Sequence, residues 1–273
     1  MKKFFAIILL FLISCSLFFA SGCGGDKKDS QNTDSVRYKR IITIGLDDEY
    51  APFGFRDDSG QLVGFDIDMA KEAAKRMGVE FEFKPIDWNN KEIELNSGHI
   101  DIIWNGLDIT PERQRHILYS KPYMDNRQVL LVKLGADTNF YSEYDLEGKI
   151  VGTQAGSNSE TYIDQNKKLK DSFKEFKTYS TFKQAFADLR EEQVEVLIVD
   201  ELAARYEMNK IPKQFEVIEL TIGPVTKIGI GFRKNDTELR DKVQKAFDSM
   251  VKDGTAKQIS VKWFQADLIK SGR

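Results

Sequence analysis

A buried strand passes into a polar turn in the segment Asp101-Ile102-Ile103-Trp104-Asn105-Gly106-Leu107-Asp108-Ile109-Thr110-Pro111-Glu112-Arg113. The apolar run that ends at Trp104 predicts the strand. Thr110 and Pro111 predict the start of a helix, because threonine is a good N-cap and proline suits the first helical position. A strand that leads through a short turn into a helix is typical of α/β proteins.

The same alternation of strands and helices continues on both sides of that segment. Residues 194–199 form a continuous apolar run, which predicts a strand buried on both faces. The spacing of Ile67, Ala70 and Ala74 predicts a helix that Gly78 ends. Further strands are predicted at 41–44, 79–83, 128–133, 149–153, 217–220 and 228–232, and further helices near 93–95, from 157, over 182–189, over 237–251 and over 255–264. This pattern favours parallel α/β sheets, and two cycles of it favour two lobes.

The first residues have the order of a secretory signal peptide. Lys2 and Lys3 precede an apolar run over residues 4–20, and small residues lead up to Cys23. We therefore expect a signal peptide over residues 1–22. A flexible tether is expected over 23–37, because its polar composition cannot build a core. A retained anchor helix is the alternative to cleavage.

The composition argues against nucleic-acid binding, a metal centre and a disulfide. The formal net charge is −3, and no basic stripe alternates with aromatic residues as nucleic-acid binding would require. Two histidines are too few for a histidine-rich metal site. Both cysteines, Cys15 and Cys23, lie near the start, so the exported part is expected to contain no disulfide. We also expect no cofactor and a monomeric protein.

Several segments together resemble the amino-acid family of type II periplasmic binding proteins, the substrate receptors of ABC importers. Besides the segment quoted first, they are Tyr-Ala-Pro-Phe-Gly-Phe at 50–55, Gly-Phe-Asp-Ile-Asp at 64–68 and Val-Gly-Thr-Gln-Ala-Gly-Ser at 151–157. The resemblance covers about residues 40–264. It implies a two-lobed α/β type II fold with a ligand cleft between lobes that two crossover strands join. Lobe 1 would comprise 38–126 plus 227–273, and lobe 2 would comprise 127–226.

The small residues before Cys23 also resemble the lipobox of bacterial lipoproteins. This likeness implies that Cys23 carries the lipid and becomes the first residue of the mature protein. The protein would then be extracytoplasmic and anchored by its lipid to the cell membrane, either on the outer face of the plasma membrane or in the periplasm.

The resemblance implies a cleft that pairs both charges of an amino acid. Arg113 matches the arginine that binds the ligand carboxylate, and a guanidinium suits this role because it offers a planar fork of donors. Gly156 and Ser157 open a helix, with a capping box predicted from Ser157, and helix N-termini attract anions. Asp200 follows the buried strand at 194–199 and matches the aspartate that takes the ammonium. Asp108 is the second acceptor, where many relatives have serine or threonine; a cap of the following turn is its alternative role.

Aromatic side chains are expected to form the walls of the cleft, because their faces bury area and attract cations. Tyr50, Trp88 and Trp104 fall at the matching positions, with Phe53 close by. Asp47 matches a position that contacts polar or basic ligand side chains. The complete predicted set is Asp47, Tyr50, Trp88, Trp104, Asn105, Gly106, Asp108, Arg113, Gln154, Gly156, Ser157, Asn158 and Asp200.

The implied function is that of a substrate-binding protein of an ABC importer. It would close its lobes on a free L-amino acid and deliver this ligand to the permease. The expected ligand is a polar or cationic amino acid, and cystine is among the candidates. The crossovers at 126–128 and 225–227 would be the hinges, and no catalytic chemistry is required. Two alternatives stay open: a secreted enzyme of the cyclohexadienyl dehydratase type on the same fold, and an amino-acid sensor or adhesin lipoprotein.

Overall fold

The computed structural model describes residues 41–270. The predicted signal peptide, the lipid site at Cys23 and the tether lie outside the described residues. The strands are β1 Ile41–Leu46, β2 Glu49–Tyr50, β3 Gly54–Arg56, β4 Leu62–Val63, β5 Glu80–Pro85, β6 Ile102–Ile103, β7 Asp108–Ile109, β8 Ile117–Tyr119, β9 Met124–Lys133, β10 Ile150–Gln154, β11 Glu175–Tyr179, β12 Val196–Asp200, β13 Phe215–Ile228 and β14 Gly231–Arg233. The helices are α1 Phe65–Met77, α2 Lys91–Asn96, α3 Asn158–Gln165, α4 Lys167–Ser172, α5 Phe182–Arg190, α6 Glu201–Lys210, α7 Thr237–Asp253 and α8 Thr255–Phe264.

Two mixed sheets carry the fold. The first has the strand order β5-β1-β6-β14-β8, and the second has the order β11-β10-β12-β9-β13-β7. In the first sheet β1 runs parallel to β5 and β6, whereas β14 runs antiparallel to β6 and β8. The expectation of parallel sheets was therefore wrong in part. The strands on which the chain passes between the sheets, β9, β13 and β14, pair antiparallel with their neighbours.

Two long strands connect these sheets. The chain leaves the first sheet after β8 and enters the second along β9; it returns along β13, which is followed by β14 of the first sheet. β9 and β13 pair antiparallel, with Asn126 opposite Thr226, and the register shifts between Ile218 and Ile222 and again between Ile222 and Thr226. These interruptions leave the paired strands least regular near the predicted hinge segments.

The segment quoted at the start folds differently from its prediction after the strand. No α-helix begins at Pro111; a single 3-10 turn covers Arg113–Arg115. The Thr110 hydroxyl does accept the Arg113 N–H, at 3.2 Å, as a cap would. The helix prediction was wrong because the chain must return to the first sheet, where β8 pairs with β14. The result places Arg113 in a tight turn beside the end of β7.

The predicted core elements are present. β12 is buried along its whole length, as its apolar run indicates. Helix α1 ends at Gly78, whose φ of 66° provides the left-handed C-cap that glycine favours. Together with α7 and α8, α1 packs one side of the first sheet through a continuous apolar cluster. The sheets thus hold fixed the strand ends that carry the candidate site.

Candidate functional site

Two buried carboxylates lie side by side at one end of the second sheet. Asp200 is the last residue of β12 and Asp108 is the first residue of β7. The Asn126 side-chain nitrogen donates to both, at 2.9 Å from Asp108 Oδ1 and in close contact with Asp200 Oδ1. We call Asp108 and Asp200 the acid pair. The arrangement places two carboxylates at one point, and their role as acceptors for an ammonium group stays a prediction.

Neutral donors surround the acid pair. Gln128 Nε2 donates to Asp200 at 2.6 Å, the Tyr50 hydroxyl donates to Asp200 at 2.5 Å, and Thr226 Oγ1 donates to Asp108 at 2.5 Å. In residues 41–270 no lysine or arginine side chain forms an ion pair with either carboxylate. Burial, and then the charge of Asp200, raise the pKa of Asp108 to about 6. A cation beside the acid pair would therefore offset the cost of ionising Asp108.

The Arg113 guanidinium spans from this strand end to the loop before α3. Its Nη1 donates to the Asp108 carbonyl at 3.3 Å, and its Nη2 donates to the Gly156 carbonyl at 2.9 Å. Its Nε lies 3.8 Å from the Glu92 carboxylate. Arg113 is only 6% exposed, so its charge is available to a ligand inside the site rather than to solvent.

The start of α3 differs in detail from the predicted capping box. Ser157 is the N-cap and accepts the Glu160 N–H at 3.1 Å, as predicted. The Glu160 carboxylate, however, accepts the N–H of Gly156, at 2.6 Å, instead of that of Ser157. The Ser157 N–H donates to the Gln154 carbonyl at 3.3 Å. Both N–H groups have acceptors within the chain, so the predicted anion-binding role requires these bonds to be exchanged.

Gly156 is the tightest point between the two sides of the site. Its φ is +72°, and a Cβ there would lie 2.7 Å from Asn89 Cα and 3.1 Å from the Trp88 carbonyl oxygen. Only glycine allows this approach of the α3 loop to the 3-10 turn Trp88–Asn90.

The predicted aromatic walls divide into two groups. Tyr50 and Trp88 face the site, and Phe53 stacks behind Tyr50 with the ring centres 5.2 Å apart. Trp104 instead lies in the core, where its indole N–H donates to Asp66 at 3.2 Å. Asp66 also accepts the Tyr123 hydroxyl at 2.8 Å and the Gly106 N–H at 2.6 Å. Trp104 thus supports the turn at Gly106 from behind.

Asp47 joins the two sides at a second point. Its carboxylate accepts Gln154 Nε2 at 2.6 Å, and its N–H donates to Asn105 Oδ1 at 3.0 Å. Burial raises the pKa of Asp47 to about 6. Asp47 therefore lies at the edge of the site and adds a third carboxylate to it.

Nine of the thirteen predicted residues enclose one small cavity. The cavity volume is about 10 Å³, which is room for one water molecule. Its lining consists of Tyr50, Trp88, Gly106, Asp108, Arg113, Gln154, Ser157, Asn158 and Asp200. The other four, Asp47, Trp104, Asn105 and Gly156, lie next to this lining without facing the cavity.

Sequence reasoning missed four residues that contact the site. Asn126, Gln128 and Thr226 bind the acid pair, although only their backbone role as crossovers was predicted. A signal existed: Asn126 and Gln128 are polar residues two apart that directly precede the apolar run 129–132 of the same strand, so their side chains point the same way. The fourth is Lys91, which is 3% exposed and donates to the Gly156 carbonyl. Nothing in the sequence around Lys91 indicates this contact.

Two features are absent from residues 41–270. No helix in that part of the chain has the length and apolar character to cross a membrane. No group of three or more histidine, cysteine, aspartate or glutamate side chains in that part is arranged to hold a metal ion.

Comparison with known proteins identifies the family. Residues 42–266 match the model of the bacterial extracellular solute-binding proteins, family 3. The L-cystine-binding protein TcyJ of Escherichia coli (strain K12) is 33% identical over 239 residues, which cover 87% of each chain. The arginine-binding extracellular protein ArtP of Bacillus subtilis (strain 168) is 30% identical over 98% of this chain and 100% of its own.

A solved structure agrees with this assignment. A substrate-binding protein of an ABC uptake transporter from Streptococcus pneumoniae, with bound histidine, has a TM-score of 0.78 and 36% identity over 85% of this chain and 95% of that one. The predicted two-lobed fold and the predicted solute-receptor family are confirmed. The chain belongs to the family 3 bacterial extracellular solute-binding proteins.

Proposed function

We propose that the chain is the substrate-binding protein of an ABC importer and captures a free, polar or cationic L-amino acid. The acid pair carries this proposal, because it offers two buried carboxylates with which no lysine or arginine of residues 41–270 forms an ion pair. Arg113 lies on the same cavity. Transfer of a zwitterion from water into a buried site has a low free-energy cost only when both of its charges find partners. The ammonium would bind Asp108 and Asp200, and the carboxylate would bind Arg113.

Binding requires the two sides of the site to separate. A cavity of about 10 Å³ is too small for an amino acid, whose volume is that of several water molecules. The contacts that hold the sides together include Arg113 to Gly156, Gln154 to Asp47 and Tyr50 to Asp200. An amino acid would exchange these for its own bonds, and it would favour closure by contacting both sides.

The proposed motion uses β9 and β13 as hinges, with lobe 1 over 38–126 plus 227–273 and lobe 2 over 127–226. The irregular pairing of the two strands around Ile222 and Thr226 supports this location. The closed form would then dock on the permease, and the protein would act as a monomer held near the membrane by a lipid on Cys23.

The ligand is proposed to be arginine, histidine or cystine. Asp47, Asp108 and Asp200 together give the site an excess of negative charge, which favours a ligand with an additional positive group. Relatives are described as cystine- and arginine-binding, and one structural neighbour holds histidine. A dehydratase activity is the less supported alternative, because a site that pairs both charges of its ligand serves binding without any acid or base step.

A calorimetric titration tests the proposal. The wild-type protein is titrated with the twenty amino acids, ornithine and cystine, and Asp200→Asn is titrated beside Asp241→Asn, which changes an exposed carboxylate on α7. We expect saturable binding of arginine, histidine or cystine that Asp200→Asn weakens and Asp241→Asn leaves unchanged. The proposal would be contradicted if only glutamate or aspartate bound tightly. It would also be contradicted if no amino acid bound. Incubation with prephenate and arogenate, followed by analysis for aromatic product, tests the alternative.

A further inference from the structure

A buried lysine lies beside the cavity of the candidate site and joins its two sides. Lys91 is the first residue of α2 and is 3% exposed. Its Nζ donates to the Gly156 carbonyl at 2.7 Å and to the Trp88 carbonyl at 3.1 Å. The same nitrogen lies 5.1 Å from the centre of the Trp88 ring, which is within the range of a cation–π contact. These contacts fix the ammonium in one place.

Lys91 shares its acceptor with Arg113. Lys91 Nζ and Arg113 Nη2 lie 2.7 Å and 2.9 Å from the same carbonyl oxygen of Gly156. Two basic groups are thus next to each other, and the group between them is neutral. In residues 41–270 no carboxylate forms an ion pair with Lys91, and the ion pair of Arg113, with Glu92, is long at 3.8 Å.

Such an arrangement is costly without an anion. Burial, followed by the charge of Arg113, lowers the pKa of Lys91 well below that of an ordinary lysine, and the opposing charges of Glu92, Glu160 and Asp108 do not offset this. Buried charges are retained in proteins when a partner compensates them. The carboxylate expected at Arg113 is the group that would compensate both cations at once.

We propose that Lys91 is a second carboxylate-recognising cation of this site, acting with Arg113 on the α-carboxylate of the ligand. The proposal rests on the proposed function. An ammonium has three N–H donors, and two of those of Lys91 have carbonyl acceptors. The third remains for the ligand. Because Gly156 and Trp88 already hold Lys91, binding would cost little side-chain entropy.

The consequence is selectivity for a charged carboxylate. At the separations set by a shared acceptor, an anion beside Lys91 is attracted strongly, whereas a neutral amide is not. Removal of the charge of Lys91 should therefore weaken binding of an amino acid much more than binding of its α-carboxamide. A lysine that only joined the two sides of the site would affect both ligands equally, since both need closure.

The experiment compares these two ligands in matched variants. Lys91→Met removes the charge and the donor, and Lys91→Gln keeps a donor without the charge. Lys84→Met is the control, since Lys84 pairs with Glu94 at 3.1 Å outside the cavity. The probe is whichever of L-arginine, L-histidine and L-cystine binds the wild type most tightly, together with its α-carboxamide, whose weaker binding is measured by displacement of the amino acid.

We expect both Lys91 variants to bind the amino acid about 10- to 100-fold more weakly and the carboxamide within about threefold of wild type. Equal losses for the two ligands, or no loss, would overturn the role of Lys91. If Lys91→Gln kept the wild-type ratio of the affinities for the amino acid and the carboxamide, the effect would be due to hydrogen bonding alone. That result would also overturn the proposed role of the Lys91 charge. If the wild type binds none of the three amino acids, the proposed function fails instead, so the two failures are distinguishable.

Discussion

Asp108 and Asp200 belong to different strands, yet both accept a hydrogen bond from the same side-chain nitrogen, that of Asn126. One amide group therefore holds two like charges together in a buried place. Neither carboxylate is exposed by more than 7%. The repulsion between them is the reason to expect that pH controls this site.

The first prediction is that ligand affinity rises with pH through about 6. Burial and Asp200 raise the pKa of Asp108 to about 6, so its proton must leave before an ammonium can bind there. Below that pH each unit should weaken binding up to about tenfold. Titration calorimetry between pH 5 and pH 8 measures this change. Asp108→Asn should bind more weakly at pH 8 and lose this pH step; a wild-type affinity that is constant over the range would contradict the prediction.

The second prediction concerns Arg113. Arg113→Ala should weaken amino-acid binding by about 2–5 kcal/mol, because it leaves a buried carboxylate without its partner. That is on the order of thirty- to several-thousandfold. Arg115→Ala is the matched control, since Arg115 lies on the same 3-10 turn and is largely exposed. Equal affinities of the two variants would remove Arg113 from the site.

The third prediction separates backbone strain from the close approach at Gly156. Gly156→Ala should weaken ligand binding, because its Cβ would lie 2.7 Å from Asn89 Cα. Gly135→Ala has a similar φ, +87° against +72°, but nothing lies within 4 Å of the added Cβ. Both should lower the free energy of unfolding by about 1–2 kcal/mol through the positive φ. If Gly135→Ala weakened binding as much, the contact with Asn89 would not be the cause.

The fourth prediction concerns the buried carboxylate of Asp66. Burial raises its pKa to about 7, above its value in the unfolded chain. The folded state therefore holds the proton more tightly, so this contribution to stability is complete at low pH and is lost as the pH rises through about 7. Denaturant unfolding at pH 6 and pH 8 measures the loss. Asp66→Asn should flatten this dependence, and an unchanged slope in that variant would assign the pH effect to another group.

Elements that depend on neighbouring residues were predicted correctly from the sequence, whereas elements that depend on pairing between distant segments were not. The apolar run of β12 and the spacing of Ile67 and Ala70 on α1 are local patterns, and both elements were predicted. The helix after Pro111 was wrong because pairing between β8 and β14, far apart in the chain, overrode a local start signal. The small sheet β2-β3-β4 was missed because strands of two or three residues are too short to show alternation.

The placement of several candidate site residues around one cavity was predictable from local segments, while their binding roles stay predictions. Asp108, Arg113 and Asp200 lie at strand ends or turns within recognisable segments, and they face one cavity. Trp104 matches the pattern equally well, but its indole turns to Asp66 in the core. The proposed role of Lys91 depends on its contact with Gly156, 65 positions away in the chain. Only the folded chain brings these two residues together.

The pairing of Asn126 with Thr226 has a consequence for the order of events during capture. Both residues lie on the strands that connect the sheets, and both bind the acid pair. Rotation about an axis through those strands moves a group in proportion to its distance from the axis. The acid pair would hardly move, while the approach of Gly156 to Lys91 and Arg113 would be made and broken. The ligand would then bind first through its ammonium group. Its carboxylate would be bound only after the two sides of the site have closed.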